Sequence, residues 1–129
     1  MIATISKTFT FEAAHHLPHH DGKCKHPHGH SYRVEIILRG PIDDDEESCK
    51  RGMVVDYSDV SAVFKREIHA KLDHQDLNVV LADDIPVTTA EWLAAWILAR
   101  MRHALGGVVV GCRVHETATS MAEVWTAIG

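Results

Sequence analysis

The sequence predicts an α+β fold, with an antiparallel four-stranded sheet, two helices on one face and the order ββααββ. Three observations support this prediction. Two alternating segments open the chain, two segments with helical spacing follow them, and two short alternating segments come after the helices. Because no β-α-β alternation is present, neighbouring strands are expected to pair as antiparallel hairpins beneath a helical layer.

The first two strands are predicted over residues 2–14 and 30–39. In the first, isoleucine and phenylalanine alternate with serine and threonine, and in the second, tyrosine, valine, isoleucine and leucine alternate with arginine and glutamate. Each strand therefore has one apolar and one wet face. The segment between them, residues 16–29, contains two prolines and two glycines, which predict a long functional loop.

Helical spacing of apolar residues predicts the two helices. Ser58 is the expected N-cap of the first, which runs to Leu72. Thr88 and Glu91 form a T-x-x-E capping box that opens the second, and this helix is expected to end before Gly106.

The last two strands are predicted over residues 108–116 and 121–128. An acidic run at residues 43–47 is typical of a solvated turn, and we assign it no function. The length of 129 residues fits one compact domain, so residues 1–129 are interpreted as a single domain.

Composition and charge limit the kinds of molecule that the protein is expected to bind. A formal net charge of -5 disfavours binding to nucleic acid or to an anionic membrane and leaves a small polar substrate open. Three widely spaced cysteines argue against a disulfide framework and favour a reducing compartment. With neither a signal-peptide pattern nor an apolar stretch of membrane-spanning length, a cytoplasmic location is expected.

Histidine is the unusual feature, because seven of the 11 histidines fall between residues 15 and 30. His28 and His30 are separated by one residue, so both imidazoles point to the same side of an extended strand. His15 ends the first predicted strand and could reach the same ion from the neighbouring strand. Three imidazoles leave a fourth coordination position open, as a catalytic Zn²⁺ requires. His16 remains an alternative to His15.

Four blocks of sequence together resemble the 6-pyruvoyltetrahydropterin synthase family. They are F-E-A-A-H at residues 11–15, C-K-H-P-H-G-H-S-Y at residues 24–32, L-D-H at residues 72–74 and H-E-T at residues 115–117. The spacing Cys-x-x-x-His-Gly-His is similar to that of the bacterial branch, the 6-carboxy-5,6,7,8-tetrahydropterin synthases of the queuosine pathway.

The resemblance implies a reaction and an assembly. The reaction converts 7,8-dihydroneopterin triphosphate to 6-carboxy-5,6,7,8-tetrahydropterin with release of acetaldehyde and triphosphate. The assembly is the tunnelling fold, in which subunits join their sheets into barrels, commonly as homo-hexamers built from two trimers with active sites at subunit interfaces.

The resemblance also implies roles for individual residues. His15, His28 and His30 correspond to the zinc ligands. Cys24 corresponds to the base that abstracts a proton; a thiolate beside a metal or a cationic group has a lowered pKa, which suits that role. Two further correspondences complete the expected site, namely the proton relay Asp73–His74 and the carboxylate that anchors the pterin, Glu116.

Several alternatives stay open at this level. The same fold and metal could eliminate triphosphate to give the 6-pyruvoyl product, or cleave dihydroneopterin as an aldolase does. A non-catalytic zinc-binding or storage module is a different class of function, and it would use further histidines as ligands: His16, His19, His20 and His26. The residues that contact the triphosphate are not assigned.

Overall fold

The computed structural model describes residues 1–127. Its centre is a five-stranded sheet in the order β3-β1-β2-β4-β5. The strands are β1 (Ile2–His15), β2 (His28–Pro41), β3 (Gln75–Asp76), β4 (Val109–Thr117) and β5 (Ser120–Trp125). All neighbouring strands are antiparallel except β3, which runs parallel to β1.

The long hairpin of β1 and β2 sets the geometry of the sheet. The two strands pair continuously over 14 positions, from Ile2 opposite Pro41 to His15 opposite His28. The prediction of two alternating strands here is confirmed. Their alternation places Phe11 and Tyr32 on the same buried face, where the two rings stack with centroids 5.1 Å apart.

The helical layer covers that buried face. Helix α1 (Tyr57–Phe64) continues without a break through a π-helical turn (Lys65–His69) into α2 (Ala70–Leu72). After β3 come the short helix α3 (Leu77–Val80) and the long helix α4 (Ala90–Leu105). Helix α4 ends at Gly106, whose φ of 88° lies in the left-handed region that glycine tolerates.

One apolar core lies between the helices and the sheet. Sheet residues such as Val34 and Val114 are fully buried against helix residues such as Phe64, Leu93 and Ile97. The other face of the sheet carries mostly polar and charged side chains, as the alternation predicts. Among residues 1–127, no helix is long and apolar enough to cross a membrane.

The predicted four-stranded antiparallel sheet is wrong in number and in direction. The fifth strand, β3, contains only two residues, and its parallel pairing with β1 depends on where the first helical segment ends. So short a segment has no periodicity that a sequence could display. The position predicted to end the last strand, Ile128, lies outside the described residues.

Both predicted helix caps are displaced. Asp56, and not Ser58, is the N-cap of α1, and its side chain accepts a hydrogen bond from the backbone N–H of Ser58. Thr89, and not Thr88, caps α4 by accepting from the backbone N–H of Trp92. Thr88 is instead buried, with 5% of its surface exposed, and it contributes to the site described next.

Candidate metal centre and its neighbours

Four polar side chains meet at one end of the sheet, on the face that the helices cover. His15 ends β1, while His28 and His30 begin β2 and share the inward side of that strand. Glu116 is next to the last residue of β4 and lies on the inward face with Val114. The sheet therefore assembles these four groups from three adjacent strands of one chain.

The donor atoms are close enough to share an ion. One ligand atom from each of His15, His28, His30 and Glu116 lies within 4.8 Å of the others. Glu116 Oε1 is 3.0 Å from His30 Nε2 and 3.6 Å from His15 Nε2, values that bracket the separation of about 3.3 Å between two donors on one tetrahedral zinc. This spacing fits a small divalent cation.

Backbone carbonyls orient two of the rings. His15 Nδ1 lies 2.7 Å from the carbonyl oxygen of Thr88, and His28 Nδ1 lies 2.8 Å from that of His26. A carbonyl can only accept, so each Nδ1 carries the proton and donates it. The Nε2 atom of each ring is left as a lone-pair donor, the arrangement that metal-bound histidines show.

Two of these nitrogens have no hydrogen-bond partner among residues 1–127. His15 Nε2 and His30 Nε2 are buried and make no hydrogen bond, although Glu116 Oε1 is close to both. A buried nitrogen without a partner is costly. Tyr32 makes T-shaped ring contacts with His15 and His30, and its ring is almost fully buried. A metal ion would accept the lone pairs of both nitrogens, so these side chains fit a bound divalent cation.

The charges in the cluster suit a cation as well. Contact with His15 lowers the pKa of Glu116, which keeps its carboxylate ionised. Burial lowers the pKa of His30 and so favours its neutral, metal-binding form. Burial also works against protonation of His15, but the Glu116 carboxylate and the Thr88 carbonyl outweigh it and raise the pKa of His15.

Glu116 contacts the predicted ligands directly, a contact that the sequence did not indicate. It also lines an open cleft together with Glu91, Ser120 and Met121. Glu91 was interpreted as a capping residue, but Thr89 supplies the cap, and the Glu91 side chain instead borders the cleft of Glu116. The T-x-x-E pattern of Thr88 and Glu91 indicated a helix start and gave no signal that Glu91 borders this cleft.

Asp73 and His74 form a hydrogen-bonded pair at the edge of β1. His74 Nδ1 lies 2.8 Å from Asp73 Oδ2, and Asp73 Oδ1 accepts from the backbone N–H of Glu12 at 2.9 Å. These contacts, that of Glu12 first, lower the pKa of Asp73. His74 has a φ of 59°, a left-handed conformation that is uncommon for a residue with a side chain and is often found at functional sites.

His74 and the metal ligands are neighbours but not one cluster. His74 and His30 line the same open cleft of about 470 Å³, yet 77% of the His74 side chain is exposed to solvent. Cys24 lies in a 3₁₀ turn, Lys23–Lys25, is half-buried, and is not a member of the four-residue group. The chain brings the predicted ligands together, whereas the predicted proton-transfer residues lie outside that four-residue group.

The other histidines of the loop have different roles. The ring of His20 accepts a hydrogen bond from the backbone N–H of Gly22, and the backbone of His16 is held by Asn78. His26 contributes its carbonyl, and not its ring, to the site. Within residues 1–127, the group of possible metal ligands does not include His16, His19, His20 or His26.

Comparison with known proteins identifies the family. The sequence model described as 6-pyruvoyl tetrahydropterin synthase matches residues 4–127. The chain belongs to the 6-pyruvoyl tetrahydropterin synthase family. The resemblance inferred from the four sequence blocks is thereby confirmed, and it places this chain among pterin-processing synthases.

Individual relatives support the bacterial branch. A 6-carboxy-5,6,7,8-tetrahydropterin synthase of Synechocystis is 39% identical over 95% of this chain and 92% of its own length. The enzyme of the same name from Haemophilus influenzae is 34% identical over 92% of this chain and 96% of its own. Among solved structures, a Caenorhabditis elegans 6-pyruvoyl tetrahydropterin synthase superposes with a TM-score of 0.85 at 24% identity, covering 98% and 97% of the two chains, which supports the fold.

Proposed function

We propose that this protein converts 7,8-dihydroneopterin triphosphate to 6-carboxy-5,6,7,8-tetrahydropterin, releasing acetaldehyde and triphosphate, in a zinc-dependent reaction of the queuosine (7-deazaguanine) pathway. The observation that carries the proposal is the convergence of His15, His28 and His30 on one point beside Glu116. Names of relatives that cover most of the chain support the choice of product.

The three histidines would hold the metal through their Nε2 atoms, with Nδ1 of His15 and of His28 fixed by carbonyls. When bound, Zn²⁺ supplies Lewis-acid polarisation of the oxygens on the substrate side chain. The sheet positions the ligands in advance, so little reorganisation accompanies binding.

Glu116 is proposed to anchor the pterin and not to coordinate the metal, so that the three histidines leave a fourth coordination position open. A carboxylate can accept two parallel hydrogen bonds from an amino group and an adjacent ring N–H, which is the pattern that a pterin edge offers. The lowered pKa of Glu116 keeps it an acceptor at neutral pH. Its cleft extends past Glu91 and Ser120, which provides polar surface beside the proposed anchor.

Cys24, Asp73 and His74 are proposed to move protons. Cys24 is the residue proposed to abstract a proton from the substrate side chain, and it lies in the turn Lys23–Lys25. His74 carries the proton onward, with Asp73 orienting its ring through the 2.8 Å contact. General acid–base groups of this kind contribute about 10²- to 10⁴-fold in rate.

We also propose that the chain is a single domain that assembles as a homo-hexamer of two trimers, with joined sheets and active sites at the subunit interfaces. Two edges of the sheet support this. Within the described part of the chain, β1 pairs with β3 only at Ala13 and Ala14 on that edge, and the outer edge of β5 has no strand beside it. Such edges favour pairing with another chain.

A cytoplasmic location and a small-molecule partner, without nucleic acid or membrane, complete the proposal. The three cysteines are free, as a reducing compartment allows. Net charge is -5, which opposes binding to phosphate backbones.

The test is incubation of zinc-loaded protein with 7,8-dihydroneopterin triphosphate while acetaldehyde release is followed and products are identified by mass spectrometry. The proposal expects acetaldehyde, triphosphate and the 6-carboxy product in equal amounts. A 6-pyruvoyl product without acetaldehyde would reject the assigned reaction within the family. No turnover with several zinc ions bound per chain would instead identify a storage module.

A further inference from the structure

We propose that Asn78 and Thr88 form a clamp that positions His15 and so determines how tightly the centre holds its metal. The clamp is the pair of side chains on α3 and before α4 that contact the end of β1. The inference rests on the metal centre proposed above and adds two positioning residues to it. Neither belongs to the four-residue group of possible ligands, although the Thr88 hydroxyl lies 3.4 Å from His15 Nδ1.

Asn78 holds the chain next to His15 by imitating a peptide group. Its Oδ1 accepts from the backbone N–H of His16 at 2.9 Å, and its Nδ2 donates to the carbonyl of His16 at 2.9 Å. Because an N–H only donates and a carbonyl only accepts, these partners fix which end of the amide is oxygen. The two bonds lock the main chain immediately after His15.

The two hydrogen bonds extend the parallel pairing of β3 with β1. Backbone pairing matches Gln75 with Ala13 and Asp76 with Ala14, and then stops. Asn78 takes over at His16, so a side chain continues the ladder where the backbone turns into α3. Without it, β1 would have no partner beyond Ala14 on its β3 side, and His15 would be held by β2 alone at the end of the strand, where fraying begins.

Thr88 ties this ladder to the ring of His15. Its hydroxyl donates to Asn78 Oδ1 at 3.1 Å, and its carbonyl accepts from His15 Nδ1 at 2.7 Å. Thr88 is buried although polar, and these contacts account for that burial. One residue therefore connects the amide that fixes the backbone of β1 with the bond that fixes the His15 ring.

We expect the clamp to affect the affinity for the metal rather than the chemical steps of the reaction. Changes to groups that orient metal ligands typically weaken metal binding about 10- to 100-fold. Removing the Asn78 amide frees the His16 backbone, and removing the Thr88 hydroxyl leaves Asn78 Oδ1 with one bond fewer. The first loss is larger, because Asn78 makes two hydrogen bonds of 2.9 Å to the His16 backbone. The Thr88 hydroxyl has one hydrogen to share, and its contacts with Asn78, His16 and His15 are longer, at 3.1, 3.3 and 3.4 Å.

The test measures zinc dissociation constants by chelator competition, together with the thermal midpoint of the metal-free protein. Asn78→Ala is expected to raise the zinc Kd about 10- to 100-fold, and Thr88→Val up to about 10-fold. Thr88→Ser keeps the hydroxyl and should bind zinc as the unchanged protein does. The visible absorption of the Co²⁺-substituted protein should change for Asn78→Ala, because it reports ligand geometry.

The control is Asp56→Ala, which removes the N-cap of α1 at the opposite end of the sheet. It should lower the thermal midpoint while leaving the zinc Kd unchanged. An unaltered zinc Kd for Asn78→Ala would overturn the clamp, as would an equal rise for Asp56→Ala, since that would be a general effect of stability. If the unchanged protein itself holds no zinc, the metal centre fails, and the clamp fails with it.

Discussion

The candidate metal centre at the end of the sheet and the groups proposed to move protons are built in different ways. His15, His28 and His30 come from two long paired strands, and carbonyls orient two of their rings. His74, by contrast, lies in a strained turn with most of its side chain in solvent, while Cys24 belongs to a short 3₁₀ turn within a loop.

The difference shows which part of the reaction a single chain prepares. Residues placed on paired strands cannot shift without breaking the ladder, so the fold itself fixes the three proposed ligands. Residues on turns need further contacts before they are equally well placed. In the proposed assembly those contacts come from substrate and from a neighbouring copy of the chain.

The largest expected effect follows from removing a ligand. His28→Ala deletes one of the imidazoles that the site depends on, so we expect less than one zinc per chain and no measurable acetaldehyde release. Metal content and turnover measured on the same sample check this. His26→Ala is the matched control, because His26 contributes its carbonyl and not its ring. Full zinc content in His28→Ala would contradict the assigned ligand set.

Removing the proton-transfer groups should separate the two regions. Cys24→Ala and His74→Ala leave the ligands intact, so each should keep one zinc per chain while turnover falls about 10²- to 10⁴-fold. Zinc content and steady-state rates measure the separation. Cys49→Ala, a change to another free cysteine outside the site, should keep normal turnover. Undiminished turnover in either zinc-loaded variant would reject that residue's role.

A smaller effect is expected at Glu116, which contacts His15 and His30 and lines the cleft beside them. Glu116→Gln keeps the shape but loses the charge and one acceptor, so substrate binding should weaken about 10- to 100-fold, a loss of roughly 1.5–3 kcal/mol for hydrogen bonds to a charged group. The KM for dihydroneopterin triphosphate measures it. Glu123→Gln, in the same cleft, is the comparison variant. Equal KM values for the two variants would remove Glu116 as the anchor.

The smallest expected effect is on the free energy of unfolding at acid pH, through Asp56, which lies outside the proposed metal centre. The hydrogen bond from Lys50, followed by those from Ser58, holds the pKa of Asp56 well below its usual range. The unfolded chain therefore takes up this proton first, so the stabilisation is complete above about pH 5 and is lost as pH falls. Asp56→Asn should flatten the acid limb of the stability curve, measured by urea unfolding of the metal-free protein from pH 7 downward. An unchanged acid limb would contradict this.

The sequence predicted most of the sheet and the convergence of three histidines, because both depend on local patterns. Alternation located the β1–β2 hairpin, and the one-residue gap between His28 and His30 placed both on one face. The parallel strand β3 and the contact of Glu116 with His30 were missed. Both arise from residues distant in sequence, and no local period records which strands become neighbours.

The helix caps show that contacts with distant residues also decide which of two neighbouring residues caps a helix. Thr88 and Thr89 are both capable of capping α4, and the T-x-x-E spacing to Glu91 favoured Thr88. Burial decides, because Thr88 is drawn inward by its contacts with His15 and Asn78, and Thr89 is left to cap the helix. Thr88, which contacts His15 in the candidate site, was therefore predicted to be the helix cap.

X-ray absorption at the zinc edge of the loaded protein tests the central claim most directly. Three imidazole nitrogens holding one ion predict scattering from nitrogen and oxygen alone, at about 2.0–2.1 Å, with the outer-shell pattern of three rings. A sulfur neighbour at about 2.3 Å would make Cys24 a ligand and not a base. That result, or a pattern of fewer than three rings, would contradict the account.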